Sequence, residues 1–291
     1  MANVIRMKAP AKINLTLDVL GRRENGYHDL KMIMQTIDVY DELTITETGG
    51  KEIVLKMEEE LPDKIPAEKN LVYKAAKLMQ EKYALTSGFQ IYLKKNIPAA
   101  AGLAGGSADC AATLLGINAL CQLGLTKDEL CELGVTLGAD VPFCIRQGTM
   151  LSEGIGELLT PLPDMPVMWT LLIKPAISVS TASVYQAIDA KTIHYHPDTQ
   201  KVIDAITRQN MLAISQNLSN VLETVTIDEY PIISELKEFL LQNGALGALM
   251  SGSGPTVYGL FRDRKLAEIS RKEALYRYPN CDVILCRTRI P

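Results

Sequence analysis

The sequence predicts an α+β fold built as two domains. A chain of 291 residues with 47% hydrophobic and 22% charged residues can bury one large core or two modest ones. Strand-like runs dominate the first third and are interrupted by one helix, and the chain beyond residue 166 reads as a second unit of mixed strands and helices. The stretch TPLPDMP at 160–166 holds three prolines, which is typical of a linker or a domain seam. We therefore expect domains at residues 1–159 and 160–291.

The first strand is predicted from strict alternation at 12–19. Apolar residues occupy every second position, and the positions between them are polar: Lys12, Asn14, Thr16 and Asp18. This pattern indicates a half-buried strand with an unusual polar face. Further strands, separated by turns, are predicted at 33–39, 42–46, 53–57 and 89–94, with a helix at about 70–83.

Two helices are predicted after Pro98. A glycine-rich loop leads into a run of alanine and leucine from Ser107 to about Leu123, and Thr126 followed by Glu129 has the form of a capping box that opens the second helix. Beyond the proline stretch we expect several helices up to about residue 242, one more helix near the end, and strands at 169–173, 248–250, 256–261 and 282–287.

Charge and hydropathy exclude some classes of function. A formal charge of −4 offers no basic stripe for a phosphate backbone, so we expect no nucleic-acid partner. No run approaches the 18 or so apolar residues of a membrane span, and the start MANVIRMKAPAK lacks the apolar segment of a signal peptide. The sequence therefore predicts a cytoplasmic protein without a membrane partner.

The cysteines and histidines show no metal-site spacing. None of the six cysteines forms a CxxC pair or lies beside a histidine at zinc-ligand spacing, which indicates reduced and mostly buried thiols. His194 and His196 alternate in a polar stretch, and two interpretations are open for them: a metal site, or surface residues. The absence of a nearby cysteine or carboxylate cluster favours surface residues.

The loop PAAAGLAGGS before the Ala-rich helix is a candidate phosphate site. Small residues let a backbone approach a ligand closely, and the unpaired N–H groups of a first helical turn attract anions. No Lys-Ser or Lys-Thr follows the glycines, and the spacing is not GxGxxG, so neither the Walker nor the dinucleotide motif fits. A tight turn with a purely structural role explains the glycines equally well.

Three motifs in order give the chain a resemblance to the GHMP kinase superfamily. They are PAKINLTL around Lys12, the loop with its Gly-Gly-Ser run, and SGSGPTVYGLF at 251–261. The resemblance implies an ATP-dependent small-molecule kinase with a two-domain fold that binds ATP and substrate in the cleft between the domains. ATP normally carries Mg²⁺, so we expect MgATP as the nucleotide. The metal ligands and the choice between monomer and homodimer stay open.

Two further segments resemble one branch of the superfamily, GYHDL at 26–30 and LGADVPF at 137–143. That branch phosphorylates the 2-hydroxyl of a cytidine diphosphate-linked methylerythritol on the non-mevalonate route to isoprenoid precursors. The branch usually has two serines where this chain has Ser107 and Ala108, so any role of the second hydroxyl would pass to Ser107 or water.

Lys12 and Asp140 fall at the family's catalytic positions. Phosphoryl transfer needs charge neutralisation and a group that receives the hydroxyl proton. The resemblance implies that Asp140 is the base and Lys12 the cation beside it. From the residues alone, Asp140 is an ordinary helix-end carboxylate and Lys12 a solvated cation on a strand.

The resemblance also implies residues that bind the two substrates. Asn14 shares the strand face of Lys12, Tyr27 and His28 hold the cytosine, Tyr185 closes over the base or packs in a core, and Thr181 is a substrate ligand or a helix N-cap. The predicted ATP-binding residues are Asn70, Lys95, Pro98, Ala99, Ala100, Ala101, Gly102, Leu103, Ala104, Gly105, Gly106, Ser107 and Ala108. Lys95 is alternatively a solvated strand-end charge.

Two rival functions remain open. One is a GHMP kinase acting on mevalonate, homoserine or a sugar, against which Tyr27, His28 and the LGADVPF segment argue. The other is a nucleotide-binding sensor or scaffold without activity, which would not need both Lys12 and Asp140. The segment SGSGPT is a second glycine turn beside the first loop or has an architectural role only.

Overall fold

The structure, a computed structural model, describes residues 3–58 and 66–289. Its contacts group the chain into two compact units. The first unit takes in Met1–Ala11, Val39–Ile97 and Ala104–Arg146, and the second takes in Lys12–Asp38, Pro98–Leu103 and Gln147–Pro291. Each unit is made of several separate segments of the chain. The predicted domain boundary after residue 159 stays a prediction.

The first strand, β1 (Val4–Arg22), is longer than predicted and is buried on both faces over its central part. Its apolar face gives Ile13, Leu15 and Leu17 to the core. The polar residues of the opposite face are also buried: Lys12, Asn14, Thr16 and Asp18. Because buried polar groups need partners, this face must be satisfied by specific hydrogen bonds, such as that from the Ile33 N–H to the Thr16 hydroxyl at 3.0 Å.

The two strands predicted at 33–39 and 42–46 are one strand, β2 (His28–Thr48). The prediction of a break was wrong, because Asp41 does not start a turn. Its carboxylate accepts hydrogen bonds from the N–H groups of Asn96 and Ile97, at 2.6 and 2.8 Å, and so ties a loop to an unbroken strand.

The first unit combines helices with β3 (Ile53–Met57), β4 (Gly88–Lys94) and parts of β1 and β2. The strand β4 lies antiparallel to β2 and parallel to β3, and β1 pairs with β2. The capping box of Thr126 and Glu129 is confirmed. The α-helices of this unit are α1 (Leu71–Lys82), α2 (Gly105–Leu120), α3 (Lys127–Val135) and α4 (Val141–Arg146), and a short 3-10 turn spans Ala67–Lys69.

In the second unit, β5 (Thr149–Gly154) lies antiparallel to β2 and to β6 (Leu158–Pro161). The proline stretch predicted as a linker therefore begins inside a strand, since Thr160 and Pro161 pair with β5. Among the described strands β6 pairs with β5 alone, and a proline is tolerated in such an edge strand.

A second sheet follows the order β11, β7, β10 and β9, with each neighbouring pair antiparallel. All four strands lie within two residues of their predicted positions: β7 (Trp169–Lys174), β9 (Gly247–Met250), β10 (Val257–Phe261) and β11 (Asp282–Arg287). A short strand, β8 (Ser219–Asn220), runs parallel to β1.

Six helices within residues 147–289 complete the second unit and supply apolar contacts. Buried residues such as Ile233, Leu236 and Phe239 of α9 pack this part of the chain. The helices are α5 (Thr181–Ile188), α6 (Thr199–Thr207), α7 (Met211–Gln216), α8 (Glu223–Glu229), α9 (Ile232–Gln242) and α10 (Arg264–Arg277). None of the helices in 3–58 or 66–289 combines the length and the apolar character that crossing a bilayer requires.

All six cysteines are free thiols, as predicted. Cys110, Cys144 and Cys286 are buried and the other three are partly exposed. Burial raises the pKa of Cys110 to about 12 and raises that of Cys286 well above the usual range. His194 and His196 are exposed, which agrees with their prediction as surface residues.

Candidate active site

The glycine-rich loop has the backbone of an anion site. Ala100 and Ala104 adopt positive φ values of 48° and 58°, a region that alanine seldom occupies. Strained backbone of this kind concentrates at functional loops. Ala104 is also the N-cap of α2, and its side chain makes no capping hydrogen bond. The first N–H groups of this 16-residue helix are therefore available to an anion.

The SGSG segment lies against the first half of the loop, as predicted. A Cβ placed on Gly102, whose φ is +72°, would lie 2.1 Å from the carbonyl oxygen of Ser251. The Ser251 hydroxyl donates to the carbonyl oxygen of Gly102 at 2.9 Å. Only glycine fits at position 102, and the two turns are in direct contact within the second unit.

Asn220 holds the SGSG turn from its other side. Its side-chain amide donates to the carbonyl oxygens of Met250 and Gly252, at 2.9 and 2.8 Å. Asn220 is buried, so both hydrogen bonds are shielded from water. Sequence reasoning missed this residue, because a single asparagine after a helix carries no pattern that distinguishes it.

Lys12 lies beside these two turns. Its backbone N–H donates to the carbonyl oxygen of Leu103 at 3.1 Å, and its Nζ lies 3.4 Å from the position of a Cβ on Gly252. The side chain is buried, and Nζ donates to Oδ1 of Asn14 at 2.6 Å. Asn14 is neutral, so this hydrogen bond orients the ammonium without cancelling its charge. The interpretation of Lys12 as a solvated cation is therefore wrong.

Asn14 is itself fixed by its neighbours. The Tyr258 hydroxyl donates to the Asn14 carbonyl oxygen at 2.7 Å, and the Asn14 amide contacts Sδ of Met32 at 3.4 Å. Tyr258 is fully buried, which raises the pKa of its hydroxyl well above 10 and keeps it a donor. The polar face of β1 thus presents an ordered pair, Lys12 and Asn14, at the glycine turns.

Two of the three predicted base-binding residues, His28 and Tyr185, contact each other within the second unit. The rings of His28 and Tyr185 stack, with centroids 5.0 Å apart and an interplanar angle of 29°. Tyr27 is 58% exposed, so its ring is open to a ligand. Of the two interpretations of Tyr185, core packing is not supported, since the residue is only partly buried and faces His28.

Thr181 is not a helix N-cap. Ser180 caps α5, and its side chain accepts from the N–H of Ser183. Thr181 is the first residue of the helix, and its hydroxyl lies 2.9 Å from the hydroxyl of Ser253 in the SGSG turn. The other interpretation of Thr181, that it is a substrate ligand, stays a prediction.

Lys95 lies between two carboxylates with only 20% of its side chain exposed, so its interpretation as a solvated strand-end charge is wrong. It donates to Asp41 and, at 2.6 Å, to Asp109. Burial lowers the pKa of Lys95, but the two carboxylates outweigh this effect and raise it overall. Burial, opposed by Lys95, raises the pKa of Asp109 to about 8. Nζ of Lys95 lies 3.4 Å from a Cβ placed on Gly105, beside the loop.

Sequence reasoning gave no role to Asp41 and Asp109, the two carboxylates that hold Lys95. The signal for Asp109 was present, since it is the only charged residue in the Ala-rich and Leu-rich run of α2. A charge in an apolar helix requires a buried partner. Asp41 carried no such signal, because its neighbours in β2 are charged and polar.

Asn70, Ser107 and Asp140 are described within the first unit. Asn70 is the N-cap of α1 and accepts from the N–H of Val72 at 2.9 Å. A Cβ on Gly138 would lie 3.7 Å from Oγ of Ser107, which brings this serine close to the segment that ends in Asp140. Asp140 is partly buried and directly precedes α4. Lys12 belongs to the other unit, and its approach to Asp140 remains a prediction.

Ala108 is buried, with 1% of its surface exposed. A serine hydroxyl at this position would need a buried hydrogen-bond partner. The methyl group of Ala108 needs none. Ser107 is partly exposed and therefore better suited to contact a ligand.

Family comparisons agree with the motifs. The family described as GHMP kinases N terminal domain matches residues 70–148, and the family described as GHMP kinases C terminal matches residues 202–277. A 4-diphosphocytidyl-2-C-methyl-D-erythritol kinase of Lachnoclostridium phytofermentans is 50% identical over 277 residues, which are 95% of this chain and 93% of that protein. The enzyme of the same name from Clostridioides difficile is 46% identical over 96% of this chain and 94% of its own length.

Solved structures share the fold. A crystal structure of 4-(cytidine 5'-diphospho)-2C-methyl-D-erythritol kinase superposes with a TM-score of 0.82 at 30% identity, covering 98% of this chain and 100% of that one. A homoserine kinase from Cytophaga hutchinsonii superposes with a TM-score of 0.78 at 19% identity, covering 100% of this chain and 96% of that one. This second likeness is one of fold alone.

Proposed function

Since the chain belongs to the 4-diphosphocytidyl-2-C-methyl-D-erythritol kinase family of GHMP kinases, we propose that it transfers the γ-phosphoryl group of ATP to the 2-hydroxyl of 4-diphosphocytidyl-2-C-methyl-D-erythritol. This reaction belongs to the non-mevalonate route to isoprenoid precursors. The observation that carries the proposal is the buried Lys12 ammonium, oriented by neutral Asn14 beside two glycine turns.

In the proposed reaction, a bond forms between the acceptor oxygen and the γ-phosphorus as the bond from that phosphorus to the β,γ-bridging oxygen breaks. Asp140 receives the proton of the hydroxyl, and ADP leaves. Lys12 offsets the negative charge that develops between the acceptor and the transferred group. Its burial strengthens this effect, because a charge acts more strongly where water is excluded.

The N-terminus of α2 is the proposed site for the nucleotide's phosphates. Its uncapped N–H groups and the strained backbone of Ala100 and Ala104 support this role. Asn70 and Lys95 are the proposed neighbours of the rest of the nucleotide, together with the loop residues Pro98–Ala108. Tyr27, His28 and Tyr185 are proposed to receive the cytosine, and Thr181 and Asn14 the remainder of the acceptor.

We propose that Mg²⁺ enters with ATP and neutralises phosphate charge. Among the residues that the structure describes, no group of three histidine, cysteine or acidic side chains forms a metal cage. This fits a cation that takes most of its ligands from phosphates and water. Ser107 is the residue that would hold it, since its hydroxyl is partly exposed at the first turn of α2.

The test is a product analysis. Purified protein with ATP, Mg²⁺ and 4-diphosphocytidyl-2-C-methyl-D-erythritol should release one ADP for each acceptor consumed, and phosphorus NMR should show a new phosphomonoester on the 2-hydroxyl. Mevalonate, homoserine and galactose serve as control acceptors. Equal ADP release with a control acceptor, phosphate on another hydroxyl, or nucleotide binding without turnover would contradict the proposal.

Removal of the metal tests whether ATP reacts as its Mg²⁺ complex. Excess EDTA should abolish ADP release, and added Mg²⁺ should restore it. Activity that survives EDTA would contradict a role for Mg²⁺. We further propose that the protein acts in the cytoplasm, where ATP is available, as a monomer or homodimer.

A further inference from the structure

The imidazole of His28 is held by a carboxylate from a distant part of the chain. Its Nε2 lies 2.6 Å from Oδ1 of Asp189, which directly follows α5. The His28 side chain is 8% exposed and that of Asp189 is 27% exposed. A carboxylate accepts hydrogen bonds and does not donate them, so in the neutral ring Nε2 carries the proton and the lone pair is on Nδ1.

We infer that Asp189 is a positioning residue that fixes this tautomer of His28 and thereby makes the site prefer cytosine to uracil. The inference rests on the proposed function, in which His28 receives the base. Cytosine carries an amino donor at the position where uracil carries an oxygen acceptor. An Nδ1 that accepts hydrogen bonds pairs with the amino group, and it repels the lone pairs of the oxygen.

The geometry around Asp189 gives each of its oxygens a separate donor. Oδ1 faces His28, whereas Oδ2 lies 3.2 Å from Nη1 of Arg22, whose side chain is 60% exposed. The Tyr185 ring stacks on the imidazole and limits its rotation. The carboxylate therefore selects the protonated nitrogen, while the stacked tyrosine fixes the plane of the ring.

The informative variant is Asp189→Asn. An amide can turn either its oxygen or its NH₂ group towards Nε2, so it no longer dictates the tautomer. We expect KM for the cytidine diphosphate-linked acceptor to rise roughly tenfold, the upper size of one lost hydrogen bond between neutral groups, with kcat unchanged. The preference in kcat/KM over the matching uridine diphosphate-linked acceptor should fall by roughly the same factor.

Arg22→Gln is the matched control. It breaks the exposed ion pair with Oδ2 and leaves the His28 contact in place. Exposed ion pairs contribute little, so KM and base preference should stay at wild-type values. If Arg22→Gln reproduces the effects of Asp189→Asn, Asp189 serves only to anchor the end of α5, and the inference is overturned.

A spectroscopic measurement reads the tautomer directly. The chain has three histidines, so long-range ¹H–¹⁵N correlation spectra of the rings can be fully assigned. Wild-type His28 should show the Nε2–H form, and Asp189→Asn should show a mixture, with His194 and His196 unchanged. An Nδ1–H form in the wild type would refute the inference even if the variant failed to fold.

The two proposals fail in different ways. A wild-type protein that does not phosphorylate the cytidine acceptor contradicts the proposed function. An active wild type whose Asp189→Asn variant keeps its KM and its preference for cytosine contradicts only the role of Asp189.

Discussion

Asp140 is the residue on which the proposed chemistry most directly depends. Asp140→Ala should lower kcat by roughly 10²-fold to 10⁴-fold, the usual contribution of general-base catalysis, with the fold kept. Steady-state kinetics and circular dichroism together measure both effects. Asp128→Asn is the control, because it removes an exposed carboxylate of the same unit that pairs with Arg146. Near wild-type turnover of Asp140→Ala would reject the assignment.

Asp109 makes stability depend on pH. Its folded pKa of about 8 lies above the ~3.9 of an unfolded aspartate, so the folded protein binds a proton that the unfolded chain releases. This contribution is fully present below about pH 4 and is lost as the pH rises to about 8. Relative to Asp109→Asn, the wild type should lose at most about 1.4 kcal/mol of unfolding free energy per pH unit in this range.

Urea unfolding of both proteins at pH 5, 6.5, 8 and 9.5 measures the difference. The gap between the wild type and Asp109→Asn should widen up to about pH 8 and then stay constant. A gap that is flat from pH 5 upwards would mean that Asp109 is ionised in the folded protein.

At the residue scale, the sequence predicted side chains whose roles depend on local motifs, and it missed those that depend on distant partners. Lys12, Asn14 and His28 were predicted from motifs, and the structure gives each an ordered environment in the second unit. Asp41 and Asp189 were not predicted, because their partners are 54 and 161 residues away in the chain. No local pattern encodes such pairs.

At the element scale, the contact between the glycine loop and the SGSG turn is testable with a pair of variants. Gly102 and Gly124 both have positive φ, at +72° and +69°, but only Gly102 has a close neighbour. Each change to alanine should cost about 1–2 kcal/mol for the left-handed backbone. Gly102→Ala should cost about 1–3 kcal/mol more, because its Cβ would overlap Ser251.

Denaturant unfolding and KM for ATP distinguish the two variants. Gly102→Ala should raise KM for ATP, since the loop must move away from Ser251, and Gly124→Ala should leave it unchanged. Equal stabilities and equal KM values would show that the contact between the turns does not shape the nucleotide loop.

The helices and the strands of the second sheet were predicted best, because capping residues and alternation are local. The break predicted within β2 was wrong, and the stretch predicted as a linker or domain seam at 160–166 begins inside a strand. Both differences have one cause. Turn-forming residues were taken as breaks, but Asp41 is held by loop N–H groups and Pro161 ends a paired strand. Local propensity is overridden where tertiary partners are supplied.

At the scale of the whole molecule, the proposed reaction requires both substrates to bind the folded chain. A non-hydrolysable ATP analogue and the cytidine diphosphate-linked acceptor, each at 100 times its Kd, should each add about 2.7 kcal/mol of stability. Differential scanning fluorimetry with each ligand, and with both, measures the shifts in Tm. Uridine diphosphate-linked acceptor is the control, and a protein stabilised by neither ligand would contradict binding at the proposed sites.

The family and the two-domain α+β class were predictable from ordered motifs spread over nearly the whole chain. The way in which segments of the two units alternate along the chain was not predictable, because β1 and β2 each supply residues to both units. Hydrophobic periodicity identifies a strand and its buried face, but it does not show which core each half of a long strand joins.

The reaction of two buried thiols with an alkylating reagent can measure local unfolding of the chain. Cys110 and Cys286 are hidden, and their raised pKa values leave almost no thiolate to react with an alkylating reagent at neutral pH. One of them lies on α2 and the other on β11, so mass-spectrometric mapping of iodoacetamide adducts over time would report the unfolding rate of two separate regions at once. Adducts at both sites within the dead time would mean that neither region is closed in the native state.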